Sequence, residues 1–428
     1  MVLTGLDQVD QIGLPLPGRG RIALLCNATT VSRNWIATAD LLAQTKGINI
    51  VRLLSPQHGF ASDKQDNMIE SPNGHHARLD LPIFSLYSDN RSPTPEALAN
   101  IDALVIDLQD IGTRVYTFLS TAVLAISAAA EIDLPVIILD RPNPIGGAVA
   151  GPVLEDGFSS FVGITDIPLQ HGLTLGEACL YGAWRRGLIS ATPVGRDAAD
   201  TATMPYTDGS GFLQVIKVSG WSRHQYFDQT ELPWTMPSPN MPLLETAIVY
   251  PGQVALEGTN LSEGRGTTRP FELFGAPFIR PSDLLSLLAD CGYLEYSRQS
   301  GAGFGLPGSP LDGVVLRETR FEPTFQKHAG SLARGFQVHV VQRTSFEPIA
   351  LTTALLWSIR QTHSSDFLWR QPPYEYEDRL LPVDMIFGTD KVRVAIDAGD
   401  PPDGIINSWE DGLSRFKDRV MPFLLYGV

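Results

Sequence analysis

The 428-residue chain reads as an α/β protein, a mostly parallel sheet with helices on both faces, followed by a smaller α+β domain. Three observations predict this class. Apolar runs such as RIALL and LPVIIL lack polar alternation, as strands buried on both faces do. These runs alternate with stretches of helical spacing. Several of them end in polar residues, and in open α/β sheets the carboxyl ends of the strands form the ligand crevice.

RIALLCNAT (21–29) is a first strand ending in a polar turn, and residues 32–42 have helical spacing. INIVRLLS (48–55) and LPIFSLY (81–87) are a second and a third strand. DALVIDLQD (102–110) is a fourth, leading into a helix over 118–132, and LPVIILDRP (134–142) is a fifth. A helix over 173–185 and a strand over 213–221 follow, then a helix in LLETAIVYPG and a strand in VALEGTN. After about residue 270 the texture changes. A helix is expected over 283–294, strands in LDGVVLRETRFEPTF and GFQVHVVQR, and a helix over 348–361. PVDMIFG and SRFKDRVMPFLLYG add helical or mixed elements. The expected division is a sheet domain over 1–270 and an α+β domain over 271–428.

The net charge of −15, with no basic stripe to offset it, argues against nucleic acid and anionic bilayers as partners. No apolar run reaches the roughly 20 residues a membrane-spanning helix needs, so no membrane insertion is expected. The opening MVLTGLDQVD lacks the basic start and apolar block of a signal peptide. On the given sequence the protein is cytoplasmic, or periplasmic or exported if a leader has been removed. Cys26, Cys179 and Cys291 are far apart, lack metal-ligand spacing and are odd in number, so they read as buried thiols. There is no GxGxxG, Walker, HExxH or GxSxG motif, which removes most support for nucleotide-binding and α/β-hydrolase readings.

The candidate site residues lie at the polar ends of the strands. VRLLSPQHGF carries Gln57 and His58. DLQDIGTRVYTF gathers Asp107, Asp110, Arg114 and Tyr116. There Asp110 is placed to face the crevice and Arg114 to grip a carboxylate with two hydrogen bonds. The plain alternative is an internal Asp–Arg pair that fixes the turn. In LDRPNPIGG the stiff loop either positions Asp140 and Asn143 for a substrate or is a structural turn. His171 precedes a helix that Thr174 caps, and Glu177 completes a capping box. PWTMPSPNMP, with Trp234 and Asn240, is a rigid aromatic loop of the kind that lines sugar or peptide clefts. EGTNLSEGRGTTRP, with Asn260, Glu263 and Arg265, admits an anion nest, a ligand loop or a plain interdomain connection. The histidines and acids have no compact metal spacing, so no metal is expected.

SPQHGF, DLQDIGTRVYTF, LDRPNPIGG, SFVG with IPLQHGLTLGE, PWTMPSPNMP and EGTNLSEGRGTTRPFE follow one another in this order. Together they resemble the DUF1343 family, whose characterised members are exo-β-N-acetylmuramidases of the NamZ type. The resemblance covers essentially the whole chain. It implies a Rossmann-like domain joined to a smaller auxiliary domain that lines the cleft. It also implies a glycosidase releasing N-acetylmuramic acid from the non-reducing end of peptidoglycan fragments. The partner is then a muropeptide or amino-sugar substrate, no cofactor is called for, and a homo-oligomer is compatible with it. A weak or inactive glycan-binding protein, a hydrolase for another acidic amino sugar and a metal-dependent esterase are the alternatives.

Glycoside hydrolysis calls for a carboxylic acid to protonate the leaving oxygen and a second group to manage the anomeric carbon. The lactyl carboxylate of muramic acid calls for an arginine, Arg114 or Arg265. Tyr116 could stack on the sugar or act as a nucleophile, and His58 orients the sugar or the acid. Where the family pattern reads PEHG, with the glutamate as its candidate acid, this chain has Gln57. Glutamine neither donates nor recovers a proton at neutral pH. A displaced acid is therefore expected, with Glu70 or Asp110 nearest to hand and Glu263 a further carboxyl group.

Overall fold

The computed structural model describes residues 1–190, 206–207 and 210–427. Its strands are β1 (Arg21–Leu25), β2 (Asn49–Ser55), β3 (Gly74–His76), β4 (Leu81–Ser85), β5 (Ala103–Ile106), β6 (Val136–Leu139), β7 (Ala150–Val153), β8 (Pro168–Gln170), β9 (Tyr206–Thr207), β10 (Leu213–Ile216), β11 (Leu273–Ala276), β12 (Leu294–Ser297), β13 (Ala302–Gly305), β14 (Val314–Phe321) and β15 (Ala333–Val340). The chain gathers into two compact units: residues 1–148, 171–239 and 417–428 form one, and 149–170 with 240–416 form the other.

Unit one is built on an eight-stranded sheet in the order β3-β4-β2-β1-β5-β6-β10-β9. The six strands from β4 to β10 pair in parallel, and only the edges, β3 and β9, are antiparallel. The inner order is that of the doubly wound Rossmann sheet, in which the chain reverses direction between its first strand and its fourth, here β1 and β5. β5 and β6 are fully buried, as is β1 beyond Arg21, in keeping with their apolar sequences.

Helices α1 (Gly5–Ile12), α2 (Thr38–Gln44), α3 (Pro95–Leu98), α4 (Phe118–Ala130) and α5 (Leu175–Arg185) belong to this unit. α1 was not marked by the apolar runs. It starts with a capping box between Thr4 and Asp7 and places Leu6 and Val9 in the core with Ile22, Leu24, Val105 and Ile137. The helix expected from residue 32 begins at Thr38. Before it, Val31 pairs with Ala37 across a tight turn in which Trp35 takes a φ of 64°. That left-handed residue interrupts the helical path whatever the spacing of the apolar positions.

Unit two holds a five-stranded antiparallel sheet, β11-β15-β14-β13-β12, and the β7–β8 pair. Its helices include α6 (Leu244–Gln253), α7 (Pro281–Asp290), α8 (Pro348–Thr362), α9 (Pro382–Phe387), α10 (Lys391–Ala398) and α11 (Pro402–Asn407). α12 (Glu410–Val420) runs from this unit into the last segment of the first. The strand expected in VALEGTN is instead a 3-10 helix, Val254–Gly258, continuing directly from α6. All of its residues are buried, so the apolar run carries no period by which strand and helix could be told apart.

Candidate active site

In unit one the chain leaving β5 stays buried from Asp107 to Thr117. Asp107 is completely enclosed and pairs with Arg141, whose Nε and a terminal nitrogen lie 2.5 and 2.8 Å from its two oxygens. The Thr38 hydroxyl donates to the same carboxylate, and Arg141 also donates to the Val31 carbonyl. This Asp–Arg pair ties the ends of β5 and β6 to the start of α2.

Asp110, three residues on, differs in having an oxygen to spare. Its Oδ2 accepts the Gly112 N–H at 2.7 Å and lies 3.4 Å from His171 Nε2. Gly112 is required here: its φ is 75°, and a Cβ would come within 2.5 Å of the Asn143 side chain. Its carbonyl accepts the His171 N–H at 3.1 Å, so one glycine holds both members of the Asp–His pair. His171 Nδ1 accepts the Leu173 N–H, which places the ring proton on Nε2, on the side of Asp110. Among the described residues, Asp110 Oδ1 and His171 Nε2 have no hydrogen-bond partner, nor do Thr113 Oγ1 and Asn27 Nδ2. Each such buried atom costs about 1–3 kcal/mol, which structural roles seldom leave unrecovered.

The neighbouring candidates are differently placed. Gln57 is buried, and its Oε1 accepts the Thr117 hydroxyl at 2.6 Å. His58, at φ 70°, is anchored at both ring nitrogens: Nδ1 lies 2.6 Å from the Lys64 carbonyl and Nε2 3.1 Å from Ser238 Oγ. Tyr116 is buried with its ring 4.7 Å from that of Phe118. Arg114 is enclosed, and burial pushes its pKa down to about 9. Glu70 lies on the surface, 3.9 Å from Arg91.

Asp140 is fully committed. It accepts from Thr174 Oγ1 at 2.7 Å, Tyr426 OH at 2.6 Å and the Gly176 N–H at 2.8 Å, pinning the start of α5. Burial raises its pKa against these hydrogen bonds. Asn143 donates to the Leu173 carbonyl and accepts from Ile145, which shapes the loop beside His171. Glu177 forms the capping box with Thr174 and is paired with the buried Arg223.

In unit two, Glu263 and Arg265 belong to a buried ionic cluster. Arg265 bonds Glu257 at 2.8 Å and lies 3.3 Å from Glu263, which is 2.7 Å from Lys327 Nζ. Tyr374 OH donates to Glu257. Burial opposes the Arg265 charge, but Glu257 and Glu263 outweigh it and raise the pKa. Burial lowers that of Lys327. Asn260 bridges the Asp366 carbonyl and the Leu368 N–H, and Asn240 is buried in the same unit.

The structure thus brings Asp110, Asn143 and His171 together in unit one, and Glu263 and Arg265 in unit two. Asn27, Thr113, Thr117, Lys327 and Tyr374 had not been singled out. The first could have been found as the polar residue ending β1, whereas Lys327 and Tyr374 carry no local signal. Among the described residues, no three His, Cys, Asp or Glu side chains gather where they could hold a metal ion.

Two family profiles match the chain: Exo-beta-N-acetylmuramidase NamZ, N-terminal, over residues 22–245, and its C-terminal counterpart over 248–426. The peptidoglycan β-N-acetylmuramidase NamZ of Bacillus subtilis strain 168 is 35% identical over 433 residues, covering 99% of this chain and 91% of its own. Two crystal structures of DUF1343 family proteins from Bacteroides fragilis NCTC 9343 superpose with TM-scores of 0.80 and 0.68, at 28% and 25% identity. In both, the match covers 100% of this chain and 99% of the other.

Proposed function

From the premise that this chain belongs to the NamZ exo-β-N-acetylmuramidase family, we propose that it is a glycoside hydrolase of peptidoglycan fragments, releasing N-acetylmuramic acid from the non-reducing end. The observation that carries the assignment of its chemistry is the buried Asp110–His171 pair, with Asp110 Oδ1 and His171 Nε2 both lacking a hydrogen-bond partner.

Among the buried carboxyl groups of unit one, Asp107 answers Arg141, Asp140 accepts three hydrogen bonds and Glu177 answers Arg223. Asp110 alone among these four keeps an oxygen without a partner. In this reading Asp110 exchanges the proton with the glycosidic oxygen or the attacking water. His171 carries its proton on Nε2, facing Asp110 Oδ2, and steadies the carboxylate when it is ionised. Thr113 and Asn27 offer polar atoms to the sugar. Arg265 is poorly suited to the lactyl carboxylate, because Glu257 and Glu263 already balance its charge, and Arg114 is the other candidate.

The test is release of N-acetylmuramic acid from a small β-glycoside and from muropeptide oligosaccharides. Turnover by the wild type that is lost in Asp110→Asn, with binding kept, supports the assignment. Turnover that survives in Asp110→Asn removes Asp110 from the chemistry.

One observation favours a second reading, glycan binding without cleavage. Gln57 accepts the Thr117 hydroxyl at the place where the family resemblance leads one to expect a titrating acid. Tight binding with no release between about pH 5 and 8 would decide for it.

A further inference from the structure

The short hairpin between β1 and α2 displays an indole in a manner that packing does not explain. Val31 and Ala37 pair at its base, Ser32 and Trp35 close the turn through a 2.9 Å backbone bond, and Ser32 Oγ accepts the Ile36 N–H. Trp35 holds φ at 64°, a region that costs a bulky residue roughly 1–2 kcal/mol. Trp35 is 68% exposed, the adjacent Ile36 is 42% exposed, and the indole makes no ring contact or hydrogen bond among the described residues. Phe271 also has a positive φ, 64°, but it is buried and packs against Tyr250, so the fold recovers its strain there.

The hairpin is nevertheless rigid. Arg141 donates to the Val31 carbonyl at 3.0 Å while it pairs with Asp107. Arg33 pairs with Glu231 at 2.7 Å, and its N–H donates to Asp7 at 2.7 Å. The tip is thus fixed to the carboxyl ends of β1, β5 and β6, the edge from which the Asp110 loop also springs. A strained, anchored and exposed tryptophan at a ligand-bearing edge is a presented surface.

We propose that Trp35 is a stacking platform for a pyranose ring on the aglycone side of the scissile bond. This rests on the glycosidase reading above. An exo-acting site encloses the terminal sugar, as the burial of Asp110 and His171 allows, while the rest of the strand stays in water. An exposed indole meets that outer part. The flat face of a pyranose presents C–H groups, and the negative face of the indole attracts them while both shed water. The net charge of −15 weighs against an anionic membrane as the occupant.

The experiment compares wild type, Trp35→Gly and Trp35→Phe on a β-N-acetylmuramic acid methyl glycoside and on peptidoglycan oligosaccharides. Glycine is the residue best suited to the turn, so Trp35→Gly folds with an unlowered Tm. Its KM for oligosaccharides rises about fivefold or more, with kcat held and the methyl glycoside within twofold of wild type. Trp35→Phe keeps most of the affinity. Equal changes on both substrates, or no change on either, overturn the platform. If the wild type cleaves neither substrate, the activity reading fails by itself. Calorimetry with the oligosaccharide then decides: weaker binding by Trp35→Gly supports the platform, and equal binding overturns it.

Discussion

Replacing Asp110 with asparagine separates chemistry from fold because of how its two oxygens are used. Oδ2 accepts the Gly112 N–H at 2.7 Å, and the asparagine carbonyl can take over that bond in the same rotamer. The amide nitrogen then stands where Oδ1 has no partner, so no protein hydrogen bond is lost there. What changes in the fold is one charge-assisted bond made neutral and the weakened attraction to His171 at 3.4 Å, together about 1–2 kcal/mol. What changes in the chemistry is the whole proton-exchange step, worth about 10²–10⁴ in rate. Asp110→Asn should therefore lose at least about 100-fold in kcat while its KM stays within a few-fold of wild type and its urea midpoint falls only slightly. Initial rates of sugar release, with a calorimetric titration to show that substrate still binds, make the measurement. A folded Asp110→Asn enzyme within tenfold of wild type would refute the assignment.

Other consequences can be checked alongside. Asp140→Ala strands the Thr174 and Tyr426 hydroxyls and the Gly176 N–H, and should cost about 3–5 kcal/mol in urea unfolding while leaving the rate per folded molecule nearly unchanged; a stable variant with a raised KM would make Asp140 a substrate contact. Gln57→Glu keeps the Thr117 hydrogen bond and adds a titrating group; with Asp110 already exchanging the proton, kcat should stay within a few-fold of wild type, and a rise of about tenfold or more on the acid side would move the proton donor to this position. His363, whose pKa is lowered by burial and then by Arg280, accepts the Arg280 N–H on Nε2 and so must stay neutral there. The unfolded chain binds this proton more readily, so the stabilisation is complete above the unfolded value of 6.5 and is lost as the pH falls below it. Protection of the α7 and α8 amides, measured against their intrinsic exchange rates, should fall from pH 7 to pH 5, and His363→Gln should flatten that dependence; identical protection profiles for the two proteins would discount the histidine.

The large sheet was legible because burial on both faces writes a parallel strand as an unbroken apolar run, as β5 and β6 do throughout and β1 does after Arg21. The same uniformity hid the 3-10 turn at Val254–Gly258, where burial on all sides left no period to read. The interleaving of the two units is also absent from the sequence, since nothing in residues 149–170 announces a detour. At the candidate site, Asp110 and His171 could be picked out by type and by position beside a strand end and a capping box. Their pairing could not, because it depends on Gly112 donating to one and accepting from the other across about 60 residues of chain. Asp140 and Asn143 look just as functional in sequence. Only three-dimensional bookkeeping of their partners shows every oxygen of Asp140 engaged.

The Asp107–Arg141 pair has a consequence for what this scaffold can accept. Sheets of this strand order elsewhere hold a dinucleotide, with its phosphates cradled where the helix after the first strand begins. Here that helix begins at Thr38, and the Thr38 hydroxyl is already given to Asp107, whose charge Arg141 answers. The protein thus carries, in a side chain of its own, the negative charge that the architecture elsewhere borrows from a cofactor. A nucleotide phosphate could settle there only by evicting a buried carboxylate from its guanidinium, at a cost of about 3–5 kcal/mol before any new contact formed. The place where this architecture can seat an anion is here filled by a structural ion pair.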